Sequence, residues 1–281
     1  AEVYGIEHLM SHTVNGSEVM ELNENGFLVN ASPELCYVID VSRRFSELSN
    51  GSFDITVLPV IDLWKTRIRA GSPPTSGEIN ETLKLVNYKN ISIENGGIYF
   101  SHQSMGVTLG GVAKGYAVDR AIEVLREHNI HHAIVNAGGD IRTIGFKTEN
   151  DPWRVALQNP VDKTEYITII NLIDRSVATS GNYERYFSEE ARASHIINPK
   201  TGYTADDLLS ATIITENATD ADALATAVFV LGEMGGMGLI ESLCGVEGLI
   251  ITGDRRILRS RGFGAFEEFG EFSEFGAIRA Q

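Results

Sequence analysis

The stretch from Val107 to Asp119, VTLGGVAKGYAVD, limits the possible folds more than any other part of the chain. A short apolar segment, which we predict to be a strand, passes through Gly110-Gly111 into a predicted helix that contains Lys114. Glycines at a strand-to-helix turn let the backbone approach a ligand, and the N–H groups of the helix start then face that ligand. The spacing matches neither GxGxxG nor GxxxxGK[ST]. The stretch therefore predicts either a phosphate site or a tight turn followed by a surface lysine.

Helix and strand patterns alternate irregularly along the rest of the chain. Ser32-Pro33 opens a helix predicted to reach about Leu48, whereas residues 53–58 suggest a strand that Pro59 keeps short. Single strands are predicted over 132–145, 153–160 and 206–214. Hairpins are predicted around the Asn95-Gly96-Gly97 turn and over 248–260. Residues 166–172 are predicted to pair with 176–178. Two helices are predicted over 218–231 and 235–243.

These elements indicate an α+β (mixed α/β) protein that forms a single unit, because no linker or internal repeat divides it. We predict one domain over residues 1–262. The remaining segment, 263–281, is rich in Phe, Glu and Gly, and it is either packed or loosely attached.

The composition excludes some classes of function. The net charge of −15 argues against nucleic-acid binding, although a metal ion could still neutralise a small nucleotide ligand. Cys36 and Cys244 lie in apolar helical patterns and are predicted to be buried free thiols. The chain has no run of 18 apolar residues and does not begin with a signal peptide, so a cytoplasmic protein and a mature exported protein both remain open.

Several polar residues are candidates for chemistry. Asp222 and Thr226 share one face of a predicted helix, where they could hold Mg²⁺ or could simply face solvent. Asn136-Ala137-Gly138-Gly139-Asp140 is either a ligand loop or a hairpin turn. The stretch Ser180-Gly181-Asn182-Tyr183-Glu184-Arg185 is either a polar ligand loop, with Arg185 as a clamp for a phosphate or carboxylate, or an ordinary loop. His195 is a candidate general base or a structural histidine. His131-His132 are discounted as a metal pair because adjacent strand residues face opposite ways.

Taken together, these motifs resemble the FAD:protein FMN transferase (ApbE) family. The matching pieces follow the order of that family from about residue 5 to residue 262. They are SEVMELN, GSFDITVLPVIDLW, LGGVAKGYAVD, IVNAGGDI, WRVALQNP, VATSGNYERYF, HIINPKTG and ATDADALATAVFVLG. The resemblance implies a single compact unit of the ApbE-like, T-fold-related type.

The resemblance also implies an activity: Mg²⁺-dependent cleavage of FAD, attachment of FMN to a threonine of a target protein through a phosphoester, and release of AMP. Gly111 would offer its carbonyl to Mg²⁺, with Asp222 and Thr226 as side-chain ligands. His195 would be the base that deprotonates the threonine, or would position a phosphate. The residues implied to line the FAD site, or to lie close by it, are Ser52, Phe53, Asp54, Thr108, Lys114, Asn136, Gly138, Gly139, Asp140 and Ile196.

The chain departs from the family pattern at a few positions. Thr108 stands where the family usually has aspartate, Thr13 where a flavin-contacting tyrosine is usual, and Asn198 where the HxxDP turn has aspartate. Some members also have an acidic metal ligand where this chain has Ala225. The first strand of the family is expected to be missing. Two alternatives to the transferase therefore stay open: an FAD pyrophosphatase that yields FMN and AMP, and a non-catalytic FAD-binding protein.

The resemblance further implies where the protein works and with what partner. The acceptor would be a subunit of a redox-driven complex that carries a threonine motif. The location would be extracytoplasmic, with a possible membrane tether through a missing N-terminus.

Overall fold

The computed structural model describes residues 2–182, 186–188 and 193–268. Its first part is helical, and the bounds are α1 (Glu2–Met10), α2 (Glu18–Asn25), α3 (Pro33–Leu48), α4 (Leu58–Arg69) and α5 (Ser76–Leu83). The predicted helix at Ser32-Pro33 is confirmed: the Ser32 side chain accepts from the backbone N–H of Leu35, and Pro33 occupies the first turn.

The strand predicted over residues 53–58 is wrong. These residues form a 3₁₀ turn, Ile55–Val57, that leads directly into α4. The Asp54 side chain caps this turn, and Pro59 lies in the first turn of α4, where a missing N–H is harmless. Trp64 on α4 is buried and donates from Nε1 to the carbonyl of Gly202 at 2.7 Å.

A small antiparallel sheet follows, with strands in the order β1 (Phe27–Leu28), β3 (Gly97–Phe100) and β2 (Ile91–Glu94). Strands β2 and β3 form the predicted hairpin around Asn95-Gly96. The chain then runs through Val107 and Leu109, both buried, as irregular backbone instead of the predicted strand. It enters α6 (Ala113–Glu127), the predicted helix.

The main sheet has six strands in the order β13-β12-β11-β8-β5-β4, and all neighbours pair antiparallel. Their bounds are β4 (Ala133–Ala137), β5 (Asp140–Ile144), β8 (Ser176–Gly181), β11 (Leu208–Thr215), β12 (Glu247–Thr252) and β13 (Ile257–Arg259). The single strand predicted over 132–145 is therefore wrong, because β4 and β5 form a hairpin with Gly138-Gly139 at its tip.

Two short ribbons complete the strands, namely β6 (Trp153–Gln158) with β7 (Tyr166–Leu172), and β9 (Tyr186–Ser188) with β10 (Ala193–Ser194). The predicted pairing of 166–172 with 176–178 is wrong, since β7 pairs with β6 and β8 lies between β5 and β11. The described part of the C-terminal segment packs on β7: the N–H of Asn171 donates to the carbonyl of Phe266 at 2.7 Å, and Phe263 is fully buried.

Helix α7 (Ala218–Ser242) lies at the centre of the main core. The two helices predicted over this region are joined across a kink at Gly232, whose φ of 74° departs from helical backbone. By length and composition α7 could span a membrane, but 56% of its apolar window is buried inside the fold, as expected of a core helix. Cys244 follows the end of α7 and is exposed, whereas Cys36 on α3 is half-buried. Both thiols are free, but the prediction that they are buried is wrong.

Candidate functional site

The start of helix α6 packs directly on the start of helix α7. A Cβ placed on Gly115 would lie 2.2 Å from the carbonyl oxygen of Ala218, so only glycine permits this approach. The N–H of Gly115 donates to Oδ2 of Asp222 at 3.1 Å. Because Gly115 follows Lys114, the same contact brings the lysine to Asp222, with 3.7 Å between Nζ and Oδ1.

A second carboxylate completes this cluster of Lys114, Asp140 and Asp222. Lys114 Nζ donates to Oδ2 of Asp140, which opens strand β5. The two carboxylate side chains are only 1% and 5% exposed, whereas the lysine side chain is 44% exposed. Burial, together with the charge of Asp222, raises the pKa of Asp140 to about 8, although Lys114 acts in the opposite direction. The cluster therefore places two buried carboxylates beside a single lysine, and Asp140 responds by holding its proton to a higher pH than an exposed aspartate.

Thr226 lies one helical turn after Asp222, against Gly111 of the glycine pair. A Cβ at Gly111 would lie 2.8 Å from Oγ1 of Thr226 and 3.3 Å from the ring of Phe53. Thr226 Oγ1 also lies 3.2 Å from Oγ of Ser180 on strand β8. The structure thus brings Gly111, Thr226 and Phe53 together, and their roles toward a metal ion or FAD stay predictions.

The turn that carries Ser52, Phe53 and Asp54 is tied to the loop before α6, since the N–H of Thr108 donates to the carbonyl of Ile55 at 2.8 Å. The Asp54 carboxylate accepts from Thr56 N–H and Tyr88 N–H, each at 2.9 Å, and from Thr56 Oγ1 at 2.6 Å. Burial raises the pKa of Asp54, while these hydrogen bonds act to lower it. The contacts of Asp54 are therefore those of a residue that shapes the turn, and its role toward FAD stays a prediction.

The candidate residues before Asp140 form the tip of the β4–β5 hairpin. Gly138 and Gly139 both have positive φ, 62° and 100°, as a two-residue hairpin turn of the I′ type requires. Asn136 Oδ1 accepts from the N–H of Gly139 at 2.9 Å. This is the hairpin alternative of the sequence analysis, and it places Asp140 at the cluster while the tip stays exposed.

His195 follows strand β10 and is half-buried. Its neighbour Ser194 is buried and donates from Oγ to Oδ1 of Asn182 at 2.8 Å. Asn182 lies two residues beyond Ser180 on the chain, which is about 7 Å of extended backbone. The buried Ile196 is joined to Ala205, whose N–H donates to its carbonyl at 3.0 Å. Arg185 lies outside the described residues.

The side chains present fit a hard divalent cation. Within residues 2–182, 186–188 and 193–268, no group of three His, Cys, Asp or Glu residues could hold a metal. The candidate ligands are instead carboxylate, hydroxyl and carbonyl oxygens, which suit Mg²⁺ that keeps several waters and shares a substrate phosphate. Two buried carboxylates in contact, of which one has a strongly raised pKa, are an environment that a cation stabilises. We expect Asp222, Thr226 and the Gly111 carbonyl to hold it.

Sequence reasoning missed three features of this site. It did not pair Lys114 with Asp140, because the two residues lie on different elements. It placed Ser180 in a polar loop instead of on strand β8 beside Thr226. It also overlooked the contact of His12 Nδ1 with Thr108 Oγ1 at 3.3 Å. Burial, and then the charge of Lys65, lower the pKa of His12. These contacts have no local sequence signal, since each joins positions far apart in the chain.

Comparisons with known proteins point to a single family. The family model of the ApbE family matches residues 1–250. A Vibrio cholerae protein named FAD:protein FMN transferase is 33% identical over 216 residues, which cover 75% of this chain and 65% of that protein. A Klebsiella pneumoniae protein of the same name is 28% identical over 261 residues, which cover 90% of this chain and 81% of that protein. The chain thus spans just under two thirds of the Vibrio relative.

Solved structures give the same result for the fold. The crystal structure of the ApbE protein from Thermotoga maritima matches with a TM-score of 0.88 and 35% identity, covering 95% of this chain and 89% of that one. The flavin transferase ApbE from Vibrio cholerae matches with a TM-score of 0.81 and 28% identity, covering 94% and 87%. The predicted α+β single unit is therefore confirmed.

Proposed function

The chain belongs to the ApbE family, and we propose that it is an FAD:protein FMN transferase. It would move FMN from FAD to a threonine of a target protein through a phosphoester and release AMP, with Mg²⁺ as cofactor. The observation that carries this proposal is the cluster of Lys114, Asp140 and Asp222 beside Thr226 and Gly111. The names of the relatives support the transfer of flavin, and the oxygen ligands support the cation.

The cluster suits a pyrophosphate substrate because it combines a cation site with an accessible lysine. Mg²⁺, when bound, would neutralise the charge of the pyrophosphate and polarise a phosphoryl oxygen. Lys114 is the exposed member of the cluster, so its ammonium group can reach a phosphate while Asp140 and Asp222 orient it. Phosphoryl transfer depends mainly on such positioning and charge stabilisation.

The proposed reaction balances as a single displacement at phosphorus. The threonine Oγ forms a bond to the phosphorus of the FMN half, and the bond from that phosphorus to the bridging oxygen breaks. AMP leaves with the bridging oxygen, and the threonine proton passes to His195. A half-buried histidine suits this role because its ordinary pKa lies near neutrality. The Asn182–Ser194 hydrogen bond ties the backbone next to His195 to the end of β8.

The site is also proposed to select a protein acceptor outside the cytoplasm. The family resemblance supports a threonine in a subunit of a redox-driven complex, and it supports an extracytoplasmic location with a possible membrane tether. The net charge of −15 favours an acceptor segment without strong negative charge.

The function is tested by incubating the protein with FAD, Mg²⁺ and an acceptor domain that carries a threonine. Covalent flavin fluorescence on the acceptor, together with one AMP per flavin attached, supports the transferase. Free FMN and AMP formed at the same rate without an acceptor would show that the activity is that of an FAD pyrophosphatase and not of a transferase. FAD recovered intact under all conditions would leave a flavin-binding protein.

Asp222→Ala tests the cation site within the same assay. We expect AMP release to fall by a factor of at least about 100, because the variant loses a charged ligand and the partner of the Gly115 N–H. Asp220→Ala is a matched control on the same helix, because its carboxylate pairs with Arg44 at 2.7 Å and with Asn217 Nδ2 at 3.1 Å, whereas that of Asp222 pairs with Lys114. Equal AMP release by both variants would remove Asp222 from the proposed site.

A further inference from the structure

A buried carboxylate lies beneath the cluster at the junction of three elements. Asp119, on helix α6, is 7% exposed, and the structure gives its carboxylate four hydrogen-bond donors. Arg142 Nη1 donates at 2.6 Å, the N–H groups of Ala218 and Thr219 at 2.8 and 2.9 Å, and Thr219 Oγ1 at 2.5 Å. Four donors occupy the acceptor positions of a carboxylate almost completely.

Each partner of Asp119 lies on an element that carries one member of the cluster. Asp119 itself follows Lys114 by five residues on α6. Arg142 follows Asp140 by two residues on β5, so both side chains face the same side of the sheet. Ala218 and Thr219 form the first turn of α7, one turn before Asp222. A displacement of any of these three elements would therefore separate the lysine from the carboxylates.

The first turn of α7 has two caps with different functions. Asn217 is the local cap, and its Oδ1 accepts from the N–H of Asp220 at 2.8 Å. Asp119, on helix α6, accepts from the N–H groups of Ala218 and Thr219, which come before Asp220 on the chain. The local cap is sufficient to start α7, whereas the contact with Asp119 fixes where the helix lies relative to α6. A negative charge at a helix N-terminus adds to this contact.

We infer that Asp119 is a positioning residue for the metal and pyrophosphate site. It holds α6, β5 and α7 in the arrangement that brings Lys114, Asp140 and Asp222 together, and it acts without contact to substrate. This inference rests on the proposed function. An amide cannot replace the carboxylate, because its NH₂ group would face N–H donors and leave them unsatisfied.

The test uses Asp119→Asn, with Ser32→Ala as control. Ser32 caps helix α3, so its loss lowers stability by a comparable mechanism far from the cluster in sequence. Binding of Mn²⁺, as a probe for Mg²⁺, is measured by electron paramagnetic resonance of the free ion. We expect the Kd for Mn²⁺ to rise about 10-fold or more in Asp119→Asn, as for partners that orient metal ligands, and to stay within twofold in Ser32→Ala.

A second readout is independent of the metal. The N–H of Gly115 donates to Asp222, so its hydrogen exchange in metal-free protein reports the contact of α6 with α7. We expect faster exchange of Gly115 in Asp119→Asn and unchanged exchange in Ser32→Ala. A lowered Tm with unchanged Mn²⁺ affinity and unchanged Gly115 exchange would show that Asp119 only caps a helix, and would overturn the inference.

Two further outcomes are decisive. If Asp119→Asn does not fold, Arg142→Met replaces it, since that variant loosens β5 but keeps the cap on α7. An unchanged Kd in folded Arg142→Met would overturn the inference. If wild-type protein releases no AMP and binds no Mn²⁺, the proposed function is wrong, and the exchange of Gly115 alone decides whether Asp119 sets the arrangement.

Discussion

Gly115→Ala is the substitution that best tests how the site is assembled. A Cβ at this position would lie 2.2 Å from the carbonyl oxygen and 2.6 Å from the carbonyl carbon of Ala218. Favourable contacts between such atoms need roughly 3.5 Å, so helices α6 and α7 must separate by about 1 Å. Because the obstacle is backbone, no side-chain rotation relieves it.

The cost of this substitution follows from the geometry. Overpacking a close contact costs up to about 3 kcal/mol, and the higher helix propensity of alanine offsets about 1 kcal/mol. A net loss of about 2 kcal/mol corresponds to a Tm that is lower by roughly 4–8 °C in a domain of this size. The same movement carries Lys114 away from Asp222, and a misplacement of about 1 Å costs about 100-fold in rate.

The assay is AMP release from FAD at saturating Mg²⁺, measured beside thermal unfolding by circular dichroism. Gly238→Ala is the matched control, because Gly238 also lies on a helix and a Cβ there meets nothing within 4 Å. We expect that control to be unchanged or slightly more stable, with the activity of the wild type. Wild-type Tm and activity in Gly115→Ala would refute the claim that close contact of α6 with α7 forms the site.

Two other predictions follow from single contacts. Thr226→Val keeps the shape of the side chain against Gly111 but removes the hydroxyl. The Mg²⁺ concentration for half-maximal AMP release should therefore rise several-fold at an unchanged Tm. An unchanged Mg²⁺ requirement would exclude Thr226 as a ligand. Burial raises the pKa of Asp54 above its ordinary 3.8, so its protonated form favours the fold. The free energy of unfolding of wild type relative to Asp54→Asn should therefore fall as pH rises from about 4 through the raised pKa, and a constant difference in urea titrations would contradict this.

The sequence predicts elements well where the signal is local. Ser32 and Pro33 define the start of α3 because a cap and a first-turn proline act within one turn. Residues 53–58 mislead because their apolar and β-branched side chains favour a strand, whereas the Asp54 carboxylate binds Thr56 and closes a 3₁₀ turn. The same residue reaches Tyr88, which no local pattern indicates.

Strand pairing is harder to predict from sequence than the presence of a strand. Strands β7 and β8 are separated by a short turn, and this proximity favours a hairpin. Burial decides otherwise, because Val177 and Ala178 on β8 are both buried and lie between β5 and β11 in the six-stranded sheet. That choice matters for the site, since it places Ser180 of β8 beside Thr226.

The glycines before and within α6 show why the sequence predicts the position of the site but not the contacts that form it. The sequence predicts that Gly110-Gly111 is a turn that lets the backbone approach a ligand. In the structure Gly110 has open space, with only Thr108 Oγ1 at 3.5 Å from its hypothetical Cβ, whereas Gly111 lies against Thr226. Gly115, inside the helix, makes the closest contact.

Small residues therefore act here mainly by letting elements of the protein approach each other. The close contact at Gly115 lets Asp222, 107 residues later, bind the N–H beside Lys114. A pattern of small residues shows where another element can pack closely, but it does not show which element of the chain packs there. The partner is set by the sheet that orders β5 and by the Asp119 carboxylate that fixes the start of α7. The chemistry of the site depends on those long-range contacts as much as on the residues that would touch FAD.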